Sequence, residues 1–552
     1  MRGALEKFFN PKLLLVYILL FSFLVRLAGI GYGLPLWLID DEPPFTLAAL
    51  KMIQLKTPLP VFHLDEFKAF LYYPPYLSYL YLFPFSVLLA VKYLFFSGGL
   101  DQFLYYITGD LSQFFLIARF FNVIFGVLSA WLLYKTAKNI FRSERIALLS
   151  AFLLSASLFH ILMSATGRHW LPVSFLFALG LFFLTNEALS FWKRFLYAML
   201  IAGMGMGVSI IMVILPILVF YWILMYEKKP AVFLLKEKYF YLICGMFIIL
   251  AAFPAVIYPG SFGFSGDVTV GSAKTILGIL QSPFLFLKPV ALSEPVLMIF
   301  AAIGLAFAFL RKRGLFWIVS LFIYTYSAIF YLFFRYEHRF TIALFPLLAI
   351  MAAYGFEECY KRISNKIVSA VFLLILLVPL ALSLRLGYLF YNDDSRIHAR
   401  EWVEKNIPQG SKVLVYARLT RLSSVKEAIE EQEKIDLGSL RRADVAERNF
   451  ASGRPVFHAL NFYSISNPEF YKDIKNYASA NNYQYLLMQM NDFNNSREQW
   501  GLVRQLAEGK TELASFGGSP EEYSLFIGQL TGSPFYLFNL RELGPLIKIY
   551  KL

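Results

Sequence analysis

Apolar residues occur along this chain in blocks separated by short charged connectors. Residues 13–30, 114–133, 239–258 and 367–386 are almost free of charge, and each approaches or exceeds the roughly 20 residues that a helix needs to cross a hydrocarbon core. The connectors Lys135/Lys138/Arg142/Arg145, Lys193/Arg194, Lys228/Lys229/Lys236/Lys238, Arg311/Lys312/Arg313 and Lys361/Arg362/Lys366 are basic. If helices alternate between these clusters, all of them share one side with the N-terminus, and the positive-inside rule makes that side cytoplasmic. The pattern predicts spans near residues 12–33, 114–137, 145–164, 170–190, 195–209, 211–226, 239–258, 292–310, 315–334, 340–357 and 366–390. About eleven crossings leave the C-terminus outside.

Residues 72–96 are also long and apolar, but are dense in Tyr and Phe, interrupted by Pro84, and carry Lys92. Counting them as a crossing would move every later basic cluster to the outer side. Residues 34–113 therefore read as one large outer loop whose aromatic helix lies at the interface or re-enters. Near Asn392 the composition turns charged and soluble. A helix is expected over 394–407 and strands over 412–416, 455–461, 483–490 and 545–550, with helical stretches between, as around 469–480. The chain thus divides into a membrane domain, 1–391, and an extracytoplasmic soluble α/β domain, 392–552. No internal repeat is visible.

Composition fits this reading. The chain has 58% hydrophobic and only 16% charged residues, a balance typical of a membrane protein. Its net charge of +14 sits in the connectors, which orient spans; it forms no stripe of basic and aromatic residues for nucleic acid, so none is expected as a partner. Two cysteines, Cys244 and Cys359, support neither a disulfide framework nor a four-thiolate zinc site. The N-terminus lacks a small-x-small cleavage site around Arg26-Leu27-Ala28, so the first helix is expected to remain uncleaved in the plasma membrane.

Candidate chemistry lies on the outer side. Asp40, Asp41 and Glu42 follow the first span directly, backed by Pro43 and Pro44 and an amphipathic stretch; further on come Tyr72, Tyr73, Pro74, Pro75 and Tyr76. An isolated acidic triplet is more often a solvated loop than a site. Adjacent carboxylates repel, however, which blurs which of the three would act. The outer cations near the membrane are Arg168, Lys288, Arg335 and Arg339, with interfacial anchoring as their ordinary role. His169 and His338 stand beside two of them.

An Asp-Glu pair in the first loop, an amphipathic helix and Tyr-Pro-Pro before an aromatic helix resemble the GT-C glycosyltransferases, most closely the protein O-mannosyltransferase and lipid A aminoarabinose transferase group. The stretch 115–145, with Arg119, Gly126 and a basic inner end, resembles that family's second span. His338-Arg339-Phe340 with Pro346 resembles the start of a late span, and residues 394–410 the start of the outer domain. The resemblance implies a polytopic α-helical membrane enzyme that transfers a sugar from a polyprenyl-phosphate donor to a protein, lipid or glycan acceptor, with inversion.

On that resemblance Asp41 is the expected base, with Glu42 positioning substrate or Asp41, and Asp40 an extra neighbour. Arg339, helped by Arg168, Lys288 and Arg335, would hold the donor phosphate; Tyr73, His169 and His338 would contact substrate. Arg119 is as well explained as a structural pair for an acid of the loop. Relatives place an acid in the short loop where this chain has Gly167-Arg168-His169-Trp170, so a divalent metal is not favoured and no cofactor is expected. Residues 259–289 read as a Gly/Ser-rich outer loop, either a substrate gate or a connector. The triplet Asn494-Asn495-Ser496 is a glycosylation sequon. The rival readings are a transporter or flippase of a lipid-linked sugar, which would favour charged midplane helices and a repeat, and a non-catalytic scaffold.

Overall fold

A computed structural model describes residues 10–39, 42–68, 71, 73–262, 275–333, 337–436, 454–490, 497–517, 524–526 and 529–552. Among these, seven helices are long and apolar enough to cross a membrane, and one bent pair is so when its two helices are taken together. The protein is an integral membrane protein.

The first helix, α1 (Pro11–Leu27), leads into an irregular stretch and then α2 (Pro43–Gln54), α3 (Tyr76–Leu94), α4 (Leu100–Gly109) and α5 (Ser112–Phe141). Helix α3 is long and apolar enough to cross a membrane, yet its contacts carry it away from the basic end of α5. Tyr81 meets Phe121 (ring centroids 5.9 Å), Phe85 meets Phe114 (4.9 Å), and Tyr93 meets Phe103 of α4 (5.1 Å). It therefore runs antiparallel to α5 and ends beyond that helix's first residue.

The chain continues through α6 (Glu144–Ser155), α7 (Leu158–Ser164), α8 (Trp170–Thr185), α9 (Phe191–Gly205), α10 (Leu215–Met225) and α11 (Lys238–Ile257). Helices α6 and α7 meet at a break with a bend of 56°. A break inside a bilayer frees backbone carbonyls that need donors. Buried Arg26 of α1 supplies them, giving Nη1 to Ser155 O at 3.1 Å and Nη2 to Leu154 O at 3.2 Å. Gly126 makes room for it, since a Cβ there would lie 2.6 Å from Arg26 Nε.

Next come α12 (Ile276–Ser293), α13 (Pro295–Arg311), α14 (Arg313–Phe333), α15 (Phe345–Tyr360) and α16 (Lys366–Tyr391). Helix α12 corrects the expectation of a loop over 259–289. Thr275 caps its start through the Gly278 N–H at 3.0 Å, and Gly278, Ser282, Phe286 and Val290 form its buried stripe at helical spacing. The Gly/Ser-rich stretch before it and Pro283 and Pro289 within it concealed that period. Residues 263–274 lie outside the described residues. Helices α13 and α15 touch backbone to backbone: a Cβ on Gly304 would come within 1.9 Å of Met351 O, and one on Gly355 within 2.1 Å of Phe300 O. Small residues allow this close approach in a membrane. Arg311 and Lys361 both pair with Glu358 (2.6 and 3.2 Å), gathering two basic connectors at one end of the bundle.

Beyond α16, helix α17 (Ser395–Asn406) is capped by Asp394 and leads to a sheet of β1 (Lys412–Tyr416), β2 (His458–Asn461), β3 (Tyr485–Gln489), β4 (Thr511–Phe516) and β7 (Ile547–Lys551). Its order is β2-β1-β3-β7-β4, with β1, β2 and β3 parallel and β7 antiparallel to both its neighbours. A separate hairpin joins β5 (Ser524–Phe526) and β6 (Gln529–Thr531). The sequon at 494–496 lies outside the described residues.

Candidate active site

Three elements converge where the first loop meets the bundle: Glu42 just ahead of α2, Arg119 in the second turn of α5, and the turn at 165–169 between α7 and α8. Glu42 and Arg119 are fully buried. Arg119 Nε and Nη2 each lie 2.7 Å from a different Glu42 oxygen, a two-pronged pair whose geometry a lysine cannot reproduce. Its third nitrogen, Nη1, donates to the carbonyls of Ile30 (2.9 Å) and Tyr32 (2.7 Å). The Gly167 N–H completes the carboxylate's shell at 2.6 Å from Oε1. A Cβ on Gly167 would sit 3.0 Å from that oxygen and 2.9 Å from Ala118 Cβ, so glycine lets the turn approach.

Asn122, one helical turn beyond Arg119, organises the same turn. Its Nδ2 donates to Arg168 O at 2.7 Å and to Thr166 O, while the Tyr81 hydroxyl reaches Gly167 O at 3.3 Å. Arg119, Asn122 and Gly126 recur at i, i+3 and i+7, so one polar and small face of an otherwise apolar helix builds both the acid lock and the seat for Arg26. That spacing is legible in the sequence, and Asn122 is the functional residue that the reading of the motif passed over.

The ordered turn presents Arg168 and His169. Arg168 and Arg339 lie over the same Trp170 ring, at 5.5 and 5.7 Å from its centroid. Arg339 also makes an ion pair with Glu337. His169 is buried among Trp170 (4.2 Å), Tyr73 (4.9 Å) and Phe45 (5.5 Å), and Phe45 stacks on Tyr73 at 4.9 Å. Burial first, then the charges of Arg168 and Arg339, hold the His169 imidazole well below its ordinary pKa, so it is neutral and serves as a polar surface.

The sequence-predicted residues thus separate. Glu42, Tyr73, Arg168, His169 and Arg339 gather into one acid-lock and cation–aromatic cluster. His338 stacks on Phe159 of α7 at 4.0 Å. Lys288 is exposed on α12, on a different face from Phe286, which packs on Tyr326 and Phe330. Asp40, Asp41 and Arg335 lie outside the described residues. Among the described residues no three His, Cys, Asp or Glu side chains assemble as a metal-binding group, and both oxygens of Glu42 are already engaged.

A family model described as dolichyl-phosphate-mannose-protein mannosyltransferase matches residues 100–258. No curated protein matches the chain. Similar solved structures include the oligosaccharyltransferase AglB of Archaeoglobus fulgidus in complex with an inhibitory peptide and a dolichol-phosphate. It is 12% identical at TM-score 0.49, over 96% of this chain and 77% of that one. They also include ArnT of Cupriavidus metallidurans bound to undecaprenyl phosphate, 12% identical at TM-score 0.43, over 91% of this chain and 96% of that one. The family match spans the segment that holds Arg119, Asn122, Gly167 and Arg168.

Proposed function

We propose that the chain transfers a sugar from a polyprenyl-phosphate donor to an acceptor hydroxyl, on the extracytoplasmic side, with inversion. The observation that carries this reading is the buried Glu42–Arg119–Gly167 lock, which fixes the chain next to Asp41 and close to the cation–aromatic cluster of Arg168, Arg339, His169 and Trp170. Asp41, with Asp40 beside it, is the base: it takes the acceptor's hydroxyl proton as that oxygen bonds to the anomeric carbon. The bond from that carbon to the phosphate oxygen breaks, and the polyprenyl phosphate leaves with the electron pair. One displacement inverts the anomeric centre. The leaving phosphate gains negative charge, and Arg339 with Arg168 is set to stabilise it. Glu42, with both oxygens held by Arg119 and Gly167, is a positioning residue.

The sidedness follows from the basic connectors, which put the N-terminus in the cytoplasm, residues 34–113 in one outer loop and the domain at 392–552 outside. Dependence on a divalent cation is expected to be weak or absent. The deciding experiment supplies purified protein in nanodiscs with a labelled polyprenyl-phosphate sugar and a panel of acceptors, comparing wild type with Asp41→Asn. Transfer that survives unchanged in the variant defeats the assignment of the base, and transfer abolished by a chelator defeats the metal expectation.

A further inference from the structure

Between α1 and Glu42 the backbone takes no regular structure up to Ile39 and turns through Gly33 (φ 73°) and Trp37 (φ 52°). Such a segment has no hydrogen-bond ladder to fix its course, so its position depends on what grips it. It is gripped from two sides. On the bundle side Arg119 holds the carbonyls of Ile30 and Tyr32, and Trp37 lies on Phe115 at 5.3 Å. On the other side stands the α/β domain. The Tyr32 hydroxyl donates to Asp394 Oδ2. Asp394 is itself fixed by the Arg396 N–H (3.0 Å) and by Arg396 Nε and Nη2 (2.7 and 2.8 Å). Arg421, in the loop after β1, donates Nη1 to Leu36 O at 2.9 Å, and Leu36 and Leu38 are buried against Ile397 and Leu419. Trp37 is half-buried and the other side chains of the clamp are buried.

We propose that the α/β domain is a positioning element for the reaction: through Tyr32–Asp394–Arg396 and Arg421–Leu36 it clamps residues 30–39, and so sets where the acids that follow are presented. This rests on the reading of Asp41 as the base. A base must meet its proton within a fraction of an ångström to be efficient, and a displacement of about 1 Å costs on the order of a hundredfold in rate. Arg119 fixes the loop at Ile30, Tyr32 and Glu42; along the nine residues between Tyr32 and Glu42, the bundle side adds the packing of Leu34 and Trp37. The α/β domain supplies the missing contacts, at Tyr32, Leu36 and Leu38. Tyr32, Asp394 and Arg421 act through the loop and are positioning residues.

Tyr32→Phe removes one hydroxyl, and Arg421→Gln is an independent second break in the same clamp. In full-length protein in nanodiscs, each is expected to lower kcat about tenfold or more while direct binding of polyprenyl phosphate stays at the wild-type affinity. Hydrogen–deuterium exchange over residues 28–42 should become faster, whereas Lys475→Ala, on the far part of the α/β domain, leaves both readouts unchanged. Wild-type exchange in both variants overturns the clamp. Faster exchange with an unaltered kcat overturns its role in the reaction. A wild-type protein that transfers no sugar defeats the function proposed above instead, and the exchange measurement still decides the clamp.

Discussion

Arg119 binds Glu42 through both carboxylate oxygens and, with its remaining nitrogen, holds the backbone of Ile30 and Tyr32. One side chain of α5 thus ties the end of the first helix to the start of α2, across the stretch that carries the acids. Both partners are fully buried, so the pair has lost its hydration, and its net worth lies in geometry rather than in stability.

That distinction is measurable. Glu42→Ala leaves a buried guanidinium uncompensated and is expected to destabilise the protein by about 3–5 kcal/mol, with transfer lost. The double variant Glu42→Leu/Arg119→Met removes both charges at similar volume and should recover most of the thermal stability without recovering transfer. Unfolding temperatures and labelled-sugar transfer, measured on the same nanodisc samples, check both halves.

Gly167 gives a subtler probe of the same lock. An added methyl would stand 3.0 Å from Glu42 Oε1 and 2.9 Å from Ala118 Cβ, so either the carboxylate or the turn must yield by a few tenths of an ångström. Gly167→Ala is expected to lower kcat by roughly ten- to a hundredfold, with expression and assembly near normal, because its φ is not one that only glycine adopts. A wild-type rate would mean that the lock tolerates movement.

Much of this arrangement is written in local sequence. The blocks and basic connectors predict the bundle, the Asp394 cap predicts α17, and the lone Arg119 in an apolar span predicts an acid partner in the loop, which Glu42 supplies. Other parts depend on distant partners. Tyr32 and Asp394 are 362 positions apart, and nothing local pairs them. Strand β4 escaped because Thr511, Glu512 and Leu513 are exposed: an edge strand with little apolar alternation, it is defined by its ladder to β7, with a register shift between Glu512 and Ala514. Arg26 is a lone cation near the end of an apolar block, and only the break at 155–158 shows which carbonyls it serves.

Arg339 and Arg168 share the Trp170 ring, and Arg339 also forms an ion pair with Glu337. Loss of one charge-assisted hydrogen bond is worth about 1.5–3 kcal/mol, so Arg339→Ala should weaken binding of polyprenyl phosphate roughly ten- to a hundredfold. Glu337→Gln should act in the opposite direction, because a donor phosphate no longer competes with a carboxylate for the same guanidinium. Calorimetric or fluorescence titration of the two variants checks the pair of signs. Weakening in both would assign Glu337 to orienting Arg339 rather than competing for it.

The junction of bundle and α/β domain carries two adjacent acids with opposite behaviour. At Asp394 burial would raise the pKa, but the Arg396 guanidinium holds it below the ordinary value. Asp393 is pushed up from 3.8 to about 6, chiefly by burial and then by the neighbouring charge of Asp394, against the Gly33 N–H that favours its anion. A raised carboxyl binds its proton more tightly in the folded state, so its stabilising contribution is complete below pH 3.8 and is lost as pH rises through about 6. Asp394 has the reverse sign and loses its contribution only as pH falls through its depressed value. At neutral pH Asp393 is therefore a strained anion in a left-handed backbone conformation, φ 65°, which asparagine adopts readily. Asp393→Asn keeps an oxygen for the Gly33 N–H and never ionises. It is expected to raise the unfolding temperature at pH 7, to match wild type near pH 4, and to flatten the profile between them. A variant profile parallel to wild type across that window would exclude Asp393 as the titrating group.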